Sequence, residues 1–212
     1  MLELALQLFL DDARCMGIAL ALSATAMADA DLRGRLSDKV SVTLGGARRC
    51  DSVLSGLMAL ATRAGDHDWV LVHDAARPCL SASDLDRLLH VGAAQPLGAL
   101  LAAPVADTLK RAGAESGCEC TVDRAGLWQA LTPQMFRYGP LCAALRGAIA
   151  AGRVPTDEAQ AMEWQGGRPL LVAAKDSNIK ITRRQDLALA MAIIAARAGP
   201  PPGLKPATRA GT

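Results

Sequence analysis

WVLVHDAARP, residues 69–78, decides the fold prediction because it joins an apolar strand to a polar turn. Its first four residues are apolar without interruption, which is typical of a strand that is covered on both faces. Comparable runs alternate along the chain with longer stretches of helical periodicity. This alternation predicts an α/β protein with a doubly wound, mostly parallel sheet. The predicted strands are Gly17–Leu22, Val40–Leu44, Trp69–His73, Gly98–Ala103 and Leu170–Ala173.

Helices are predicted where apolar residues recur three and four positions apart behind a capping residue. The first 15 residues carry acidic side chains and no basic leader, so they predict an amphipathic helix rather than a targeting segment. Ser81 begins a near capping box, and Thr182 is the expected cap of the last helix. The predicted helices are residues 1–15, Asp51–Ala64, Asp84–Val91 and Arg183–Ala198.

Two segments interrupt the alternation. Residues 104–134 contain two β-like stretches around a tip with glycine and serine, which predicts a protruding β-hairpin arm. The arm is long for a simple connection, so it favours an interface or a substrate lid. Residues 199–212 are rich in proline and glycine and predict a disordered tail. The sequence therefore predicts one domain, residues 1–198, that carries the arm.

Composition excludes several classes of protein. Among 212 residues, 51% are hydrophobic and 21% are charged, which excludes global disorder. The net charge of +2 and the aromatic content of 3% do not indicate binding to nucleic acid. No apolar run is long enough to span a membrane. Six cysteines without a secretory signal predict reduced thiols in a cytoplasmic protein.

Asp74 is the first candidate for chemistry. Ligands of open parallel sheets bind at the carboxyl ends of the strands, and Asp74 directly follows a predicted strand. A carboxylate at that position suits Mg²⁺, which takes few protein ligands and completes its shell with water and phosphate oxygens. Arg77 could pair with this carboxylate or with a phosphate. The alternative is that Asp74 only caps the turn before Pro78, and local sequence leaves both interpretations open.

Three further segments are weaker candidates. Thr156 opens a predicted helix after Pro155, either as part of an N-cap with acids that complement the helix dipole or as a phosphate contact. Lys180 lies between apolar neighbours, which is unusual for a lysine that is only solvated. Gly45 and Gly46 precede a helix and could form a backbone cradle, although a glycine pair alone is weak support.

Taken in order, five motifs resemble those of the 2-C-methyl-D-erythritol 4-phosphate cytidylyltransferase family. The motifs are VHDAARP, PVADTLK, TVDRAGLWQALTPQ, TDEA and NIKITRRQDLALA. The resemblance runs from the start of the chain to the last helix. It implies a Rossmann-like fold of the nucleotide-diphospho-sugar transferase type, dependence on Mg²⁺ and a homodimer. The implied reaction joins CTP and 2-C-methyl-D-erythritol 4-phosphate into 4-diphosphocytidyl-2-C-methyl-D-erythritol and pyrophosphate, in nonmevalonate isoprenoid biosynthesis.

The resemblance also implies roles for individual residues. Asp74 is expected near the metal and the phosphates, and Arg124 and Lys180 are expected to position the methylerythritol phosphate. Thr108 is expected to reach the site of the partner subunit, while Gly46 and Ser52 contact cytosine. Ala47 stands where some members carry an acid, so base contacts there are in doubt. The implied catalytic residues are Arg124, Lys180 and Asp74, and the implied substrate-binding residues are Gly46, Ser52, Asp74, Ala75, Arg77, Thr108, Arg124, Thr132, Thr156 and Lys180.

The amino terminus departs from the family pattern. Members begin with a strand, a glycine-rich loop of the type PAAGxGxRM and a PKQ segment, whereas this chain matches only after that unit. We expect in-frame codons upstream of Met1 to encode it, and the chain as written to be marginally stable and nearly inactive. The alternative is an inactive, truncated pseudoenzyme that acts only as a dimerising protein. A related transferase for another sugar phosphate would need other residues at Arg124, Thr156 and Lys180.

Overall fold

The computed structural model describes residues 2–175 and 177–197, in which helices and strands alternate. The strands are β1 (Ile18–Leu22), β2 (Val40–Leu44), β3 (Trp69–Val72), β4 (Ala99–Pro104), β5 (Leu109–Ala112), β6 (Cys118–Val122), β7 (Trp128–Arg137) and β8 (Leu170–Ala173). The helices are α1 (Leu2–Leu10), α2 (Ala24–Met27), α3 (Ala30–Gly34), α4 (Arg49–Ala59), α5 (Ala82–Gly92), α6 (Tyr138–Ala150), α7 (Glu158–Glu163) and α8 (Arg184–Arg197). Among them, no helix combines the length and the apolar character of a membrane span.

In the described residues, the body of the molecule contains two sheets. One consists of β1 and β2, which run parallel. The other has the order β3-β7-β4-β8, in which β7 is antiparallel to both of its neighbours and β4 is parallel to β8. Within this sheet β3, β4 and β8 therefore share one direction and only β7 is reversed. The prediction of an α/β fold with a mostly parallel sheet is confirmed, as are the five predicted strands to within one residue at each end.

Strand β7 anchors the helices on both faces of the four-stranded sheet. Its neighbours Met135 and Phe136 are buried and, as successive residues of a strand, point to opposite faces. Phe136 packs with Leu141 and Leu145 of α6, whereas Met135 packs in a second cluster with Leu88 of α5. Each buried side chain of this size stabilises the fold by about 1.5–3 kcal/mol. A third, separate cluster lies around β1 and β2.

The sequence analysis is wrong about residues 128–134, which it assigns to the arm. They belong to β7 at the centre of the sheet, where Ala130 pairs with Ala102 and Gln134 pairs with Leu100. Pro133 cannot donate a ladder hydrogen bond, and a proline inside a run argues against a central strand. The ladder accommodates it with a register shift between Leu100 and Ala102. The polar pattern around Pro133 therefore disguises a strand that is buried by tertiary packing.

The predicted hairpin exists but is shorter than predicted. Strands β5 and β6 form a two-stranded antiparallel sheet of their own, joined through a 3₁₀ turn at Ala114–Ser116. Cys118 and Cys120 both lie on β6 with exposed side chains. We refer to residues 105–127, which include this hairpin and the segments that join it to the body, as the arm. The predicted tail, residues 199–212, lies outside the described residues.

Three of the predicted helices are present, and a fourth, α8, is present with a different capping residue. Helices α1, α4 and α5 overlap their predicted ranges, although α1 ends at Leu10 rather than at residue 15 and α4 ends at Ala59 rather than at Ala64. The Ser81 hydroxyl accepts a hydrogen bond from the N–H of Asp84 at 3.2 Å. Before α8 the expected roles are reversed: the Asp186 carboxylate accepts from the N–H groups of Thr182 and Arg183, and the Thr182 hydroxyl donates to it. Helices α2, α3 and α6 are absent from the prediction.

Candidate active site

The turn after β3 is the structural centre of the site. The N–H of Arg77 donates to the carbonyl of Asp74 at 2.9 Å and closes the turn. The N–H of Ile181 donates to the carbonyl of Ala76 at 2.8 Å, which docks the segment that carries Lys180 against this turn. Two segments a hundred residues apart in sequence thus meet at the end of β3, as expected for the carboxyl edge of such a sheet.

A chain of hydrogen bonds fixes the backbone of Asp74. Its N–H donates to the Thr132 hydroxyl at 3.1 Å, and this hydroxyl lies 3.0 Å from Nδ1 of His73. Nε2 of His73 lies 3.0 Å from the carbonyl of Arg77, so it carries the proton and donates. Nδ1 is then the acceptor of the Thr132 hydroxyl. Burial lowers the pKa of His73 to about 4, which keeps this neutral tautomer at neutral pH.

The carboxylate of Asp74 is shared by two cations. Oδ1 accepts from Nε and Nη2 of Arg49 at 3.1 and 3.0 Å, and Oδ2 accepts from Nζ of Lys180 at 2.9 Å. Nε of Arg77 lies 3.9 Å from Oδ2. Burial pushes the pKa of Asp74 upward, but the hydrogen bonds and charges of Lys180 and Arg49 outweigh it and hold the pKa below its usual value. Asp74 is therefore ionised and fixed in position.

Arg49 is held from its other side by Glu158. Nη1 donates to Oε1 at 2.6 Å and Nη2 donates to Oε2 at 3.1 Å, a bidentate pair. The side chain of Glu158 is only 1% exposed, and burial raises its pKa against the opposing hydrogen bonds from Arg49. Arg49 thus links the first turn of α4 to the ends of β3 and α7.

The sequence analysis missed both Arg49 and Glu158, although a signal was present for the arginine. A cation at a helix N-terminus opposes the helix dipole, so Arg48 and Arg49 at the start of α4 require another explanation. Arg48 pairs with Asp51 in the same turn at 2.7 Å. Arg49 has no such local partner in its turn and binds two distant carboxylates instead. Glu158 gave no comparable signal, because an acid in a first helical turn is ordinary.

Arg49, Asp74 and Lys180 line a cleft of about 200 Å³. It brings together five of the ten predicted substrate-binding residues. Three cations and several hydroxyl and amide groups on its wall give it the chemistry to bind an anionic, phosphorylated ligand. The lining residues are Arg49, Asp74, Arg77, Ala130, Leu131, Thr132, Gln134, Thr156, Asp157 and Lys180.

The segment around Thr156 is fixed by Gln134 of β7. Nε2 of Gln134 donates to Asp157 at 2.9 Å, and Oε1 accepts from the N–H of Ala159 at 2.8 Å. Asp157 is the residue that caps α7, since its carboxylate accepts from the N–H of Gln160. The cap interpretation is therefore confirmed for Asp157. Thr156 is exposed on the cleft wall, which leaves its hydroxyl available to a ligand.

Gly46, Ser52 and Ala75 lie on the other side of Arg49 and Asp74. Ser52 and Ala75 line a second cavity, of about 770 Å³, which Arg49 and Asp74 also line. The N–H of Gly46 donates to the Ser52 hydroxyl at 3.0 Å. A Cβ at Gly46 would come within 2.3 Å of the Asp51 Cβ, so only glycine fits there. The predicted cytosine contacts are thus next to the Asp74 network.

Two predicted site residues lie elsewhere. Thr108 and Arg124 are on the arm, both are exposed, and neither lines either cavity. The structure does not bring Arg124 next to Lys180 within one chain.

Asp74 is the one carboxylate of the predicted metal site. No group of three or more histidine, cysteine, aspartate or glutamate side chains in the described residues could hold a metal ion. A single carboxylate nevertheless fits Mg²⁺, which is often bound through one or two carboxylates plus substrate phosphates. Each oxygen of Asp74 has further lone-pair capacity beside its bonds to Arg49 and Lys180. The donor set suits a metal ion that arrives with a phosphorylated ligand.

Comparisons with known proteins show one family. A family model described as 2-C-methyl-D-erythritol 4-phosphate cytidylyltransferase matches residues 1–196. The protein of that name from Ectopseudomonas mendocina is 52% identical over 188 residues, which cover 88% of this chain and 80% of that protein. The one from Acidithiobacillus ferrooxidans is 53% identical over 195 residues, covering 89% and 81%. A crystal structure of 4-diphosphocytidyl-2C-methyl-D-erythritol synthase superposes with a TM-score of 0.82 at 37% identity, covering 91% of this chain and 89% of that one.

Proposed function

We propose that this chain, which belongs to the 2-C-methyl-D-erythritol 4-phosphate cytidylyltransferase family, transfers the cytidylyl group of CTP to 2-C-methyl-D-erythritol 4-phosphate. The main support is the ionised Asp74, which accepts hydrogen bonds from Arg49 and Lys180 in a cleft that Thr156 also lines. The family match extends over all the residues of this cleft. It favours the enzyme over a protein that only dimerises.

The reaction needs positioning and charge stabilisation more than covalent help from the protein. A phosphate oxygen of the methylerythritol phosphate attacks the α-phosphorus of CTP, and the bond from that phosphorus to the leaving pyrophosphate breaks. Lys180 holds the attacking phosphate, and the exposed Thr156 hydroxyl donates to it. Thr132 is buried and its hydroxyl is bonded to both His73 and Asp74, so we assign it the positioning of Asp74.

We assign the metal to Asp74. Bound Mg²⁺ would neutralise charge on the phosphates, with Asp74 as its protein ligand. Arg49 and Lys180 keep Asp74 ionised and aimed into the cleft before the substrates arrive. Gly46 and Ser52 are the proposed cytosine contacts, and Ala75 and Arg77 line the space between the base and the phosphates.

We also propose a cytoplasmic homodimer that is held by the arm. Thr108 and Arg124 are exposed on the arm and outside both cavities of their own chain. Thr108 directly precedes β5 and Arg124 follows β6, and exposed side chains beside such a hairpin can reach a neighbouring copy. We infer that they enter the partner's cleft, where Arg124 would add a cation next to Lys180.

Release of pyrophosphate from CTP tests the function. It is measured in the chain as written and in the same chain preceded by any in-frame residues encoded upstream of Met1. Release should require both 2-C-methyl-D-erythritol 4-phosphate and Mg²⁺. Release that is independent of the methylerythritol phosphate, or faster with another sugar phosphate, would contradict the proposal, as would its absence from both proteins.

A further inference from the structure

Asn178 lies two residues before Lys180 in the segment that leads to α8, and only 3% of its surface is exposed. Nδ2 of its side-chain amide donates to the carbonyl of Thr132 at 2.7 Å. Oδ1 of the same amide is buried and has no hydrogen-bond partner among the described residues. A buried polar atom without a partner lowers the stability of a fold. Stability alone therefore does not account for an amide at this position.

The carbonyl that Asn178 binds belongs to an irregular stretch of β7. Thr132 lies between Ala130 and Gln134, within the register shift of the ladder between β4 and β7. A buried carbonyl requires a donor, and the Asn178 side chain supplies one here. Strand β7 is an interior strand of its sheet, with β3 and β4 as its neighbours. Asn178 thus fastens the segment of Lys180 to the interior of the sheet.

Two further hydrogen bonds hold the same segment against the turn after β3. Nη1 of Arg77 donates to the carbonyl of Asn178 at 2.7 Å. The N–H of Ile181 donates to the carbonyl of Ala76 at 2.8 Å. These two bonds flank Lys180 in sequence. The side chain of Lys180 is itself 43% exposed, so its position depends on the backbone that carries it.

The hydrogen bonds form a closed ring with Thr132. Its hydroxyl accepts from the N–H of Asp74, and its carbonyl accepts from Asn178. Nζ of Lys180 donates to Oδ2 of Asp74 and completes the ring. The carboxylate and the ammonium group that meet in the cleft are therefore positioned from one buried residue. Replacing the Asn178 amide would release the Lys180 half of the ring but leave the N–H of Asp74 bonded to Thr132.

We propose that Asn178 is a positioning residue of the candidate active site, which holds the backbone of Lys180 so that its ammonium group meets the attacking phosphate. Asn178 lines neither cavity, so it acts through Lys180 rather than on a substrate. The part of this inference that concerns turnover rests on the proposed function. The part that concerns the backbone of Lys180 follows from the hydrogen bonds alone.

Amide exchange in the 212-residue protein, resolved by residue with NMR, tests this tie without any substrate. In Asn178→Ala the N–H of Ile181 should exchange about tenfold faster or more, because its segment has lost an anchor, while the N–H groups of β3 keep their rates. Ser177→Ala, on the exposed neighbour, is the matched control and should leave the rate at Ile181 unchanged. An unchanged rate at Ile181 in Asn178→Ala would overturn the inference.

A second variant covers the case in which Asn178→Ala does not fold. Asn178→Asp has the same size but no donor when it is ionised, so the same acceleration at Ile181 is expected. If neither variant folds, the unaltered protein decides. Protection of the Ile181 N–H below about tenfold would then overturn the inference, and greater protection would support it.

A double-mutant cycle on turnover separates the positioning of Lys180 from a general structural role. It uses the chain preceded by any in-frame residues encoded upstream of Met1. Asn178→Ala alone should lower kcat about tenfold or more, with the KM for CTP unchanged within about twofold. In the Lys180→Ala background the same substitution should change kcat by less than about twofold, since the residue that Asn178 positions is gone.

The outcomes of the cycle distinguish this inference from the proposed function. Equal losses of kcat in both backgrounds would show that Asn178 does not act through Lys180 and would overturn the inference. If the unaltered chain shows no turnover, the proposed function fails, and amide exchange at Ile181 alone decides whether Asn178 holds the backbone of Lys180.

Discussion

At the scale of single residues, His73 couples the site to pH. Its pKa is about 4 in the folded protein and about 6.5 when unfolded, so the unfolded chain binds the proton first as pH falls. Its contribution to stability is complete above about pH 6.5 and is lost progressively down to about pH 4. We expect this loss to reach at most about 3 kcal/mol. Urea unfolding across this range should show a smaller slope in His73→Gln, and His90→Gln, on an exposed residue, should match the unaltered protein.

Glu158 allows a second test at the same scale. Glu158→Gln removes a buried charge that pairs with Arg49, so the free energy of unfolding should fall by about 1–3 kcal/mol. Turnover should also fall, because Arg49 then loses one of the two carboxylates that orient it. Glu163→Gln, on the exposed end of the same helix, is the matched control and should lie within about 0.5 kcal/mol. Equal effects of the two substitutions would contradict the positioning of Arg49 by Glu158.

At the scale of secondary-structure elements, a deletion in the arm tests whether the arm holds a homodimer. Deleting residues 112–119 removes the tip but leaves the bond from Lys110 to the Thr121 hydroxyl, at 2.7 Å, to close the shortened hairpin. We expect light scattering to give half the mass of the unaltered protein, with unchanged helix content by circular dichroism. An unchanged mass would contradict the proposal that the arm holds a homodimer.

Strands β3 and β7 show which elements can be predicted from the sequence and which cannot. The apolar side chains of β3 pack in the clusters on the two faces of the sheet, and such an apolar run is visible in one sequence. Strand β7 was missed since Thr132, Pro133 and Gln134 look like a loop until their tertiary partners are known. The residues of the candidate site likewise include some that the sequence predicts and some that it does not. Asp74 follows a visible strand, whereas the Arg49–Glu158 pair joins residues 109 positions apart and requires the folded structure.

At the scale of the whole molecule, two inactive variants should complement each other if the arm serves the partner's cleft. In the chain preceded by any in-frame residues encoded upstream of Met1, Lys180→Ala and Arg124→Ala should each lower turnover about 10²-fold, because the attacking phosphate is misplaced. In a mixed dimer one cleft has both cations and the other has neither. Refolding equal amounts together should then restore about a quarter of full activity, since half the dimers are mixed and half of their clefts are complete. Recovery should fail if each arm serves its own chain; Lys175→Ala, on an exposed lysine, is the control for each single variant.

The two thiols on β6 make the arm a place for chemical labels. Cys118 and Cys120 are exposed, while Cys50, Cys79 and Cys142 are buried and Cys15 is partly covered. A maleimide dye or a nitroxide spin label at limiting concentration should therefore attach to the arm first. Residues two apart on a strand share a face, so both labels would sit on one side of the hairpin. Distances between labels on two copies, measured by electron spin resonance, would then test whether one arm docks on its neighbour in the natural sequence.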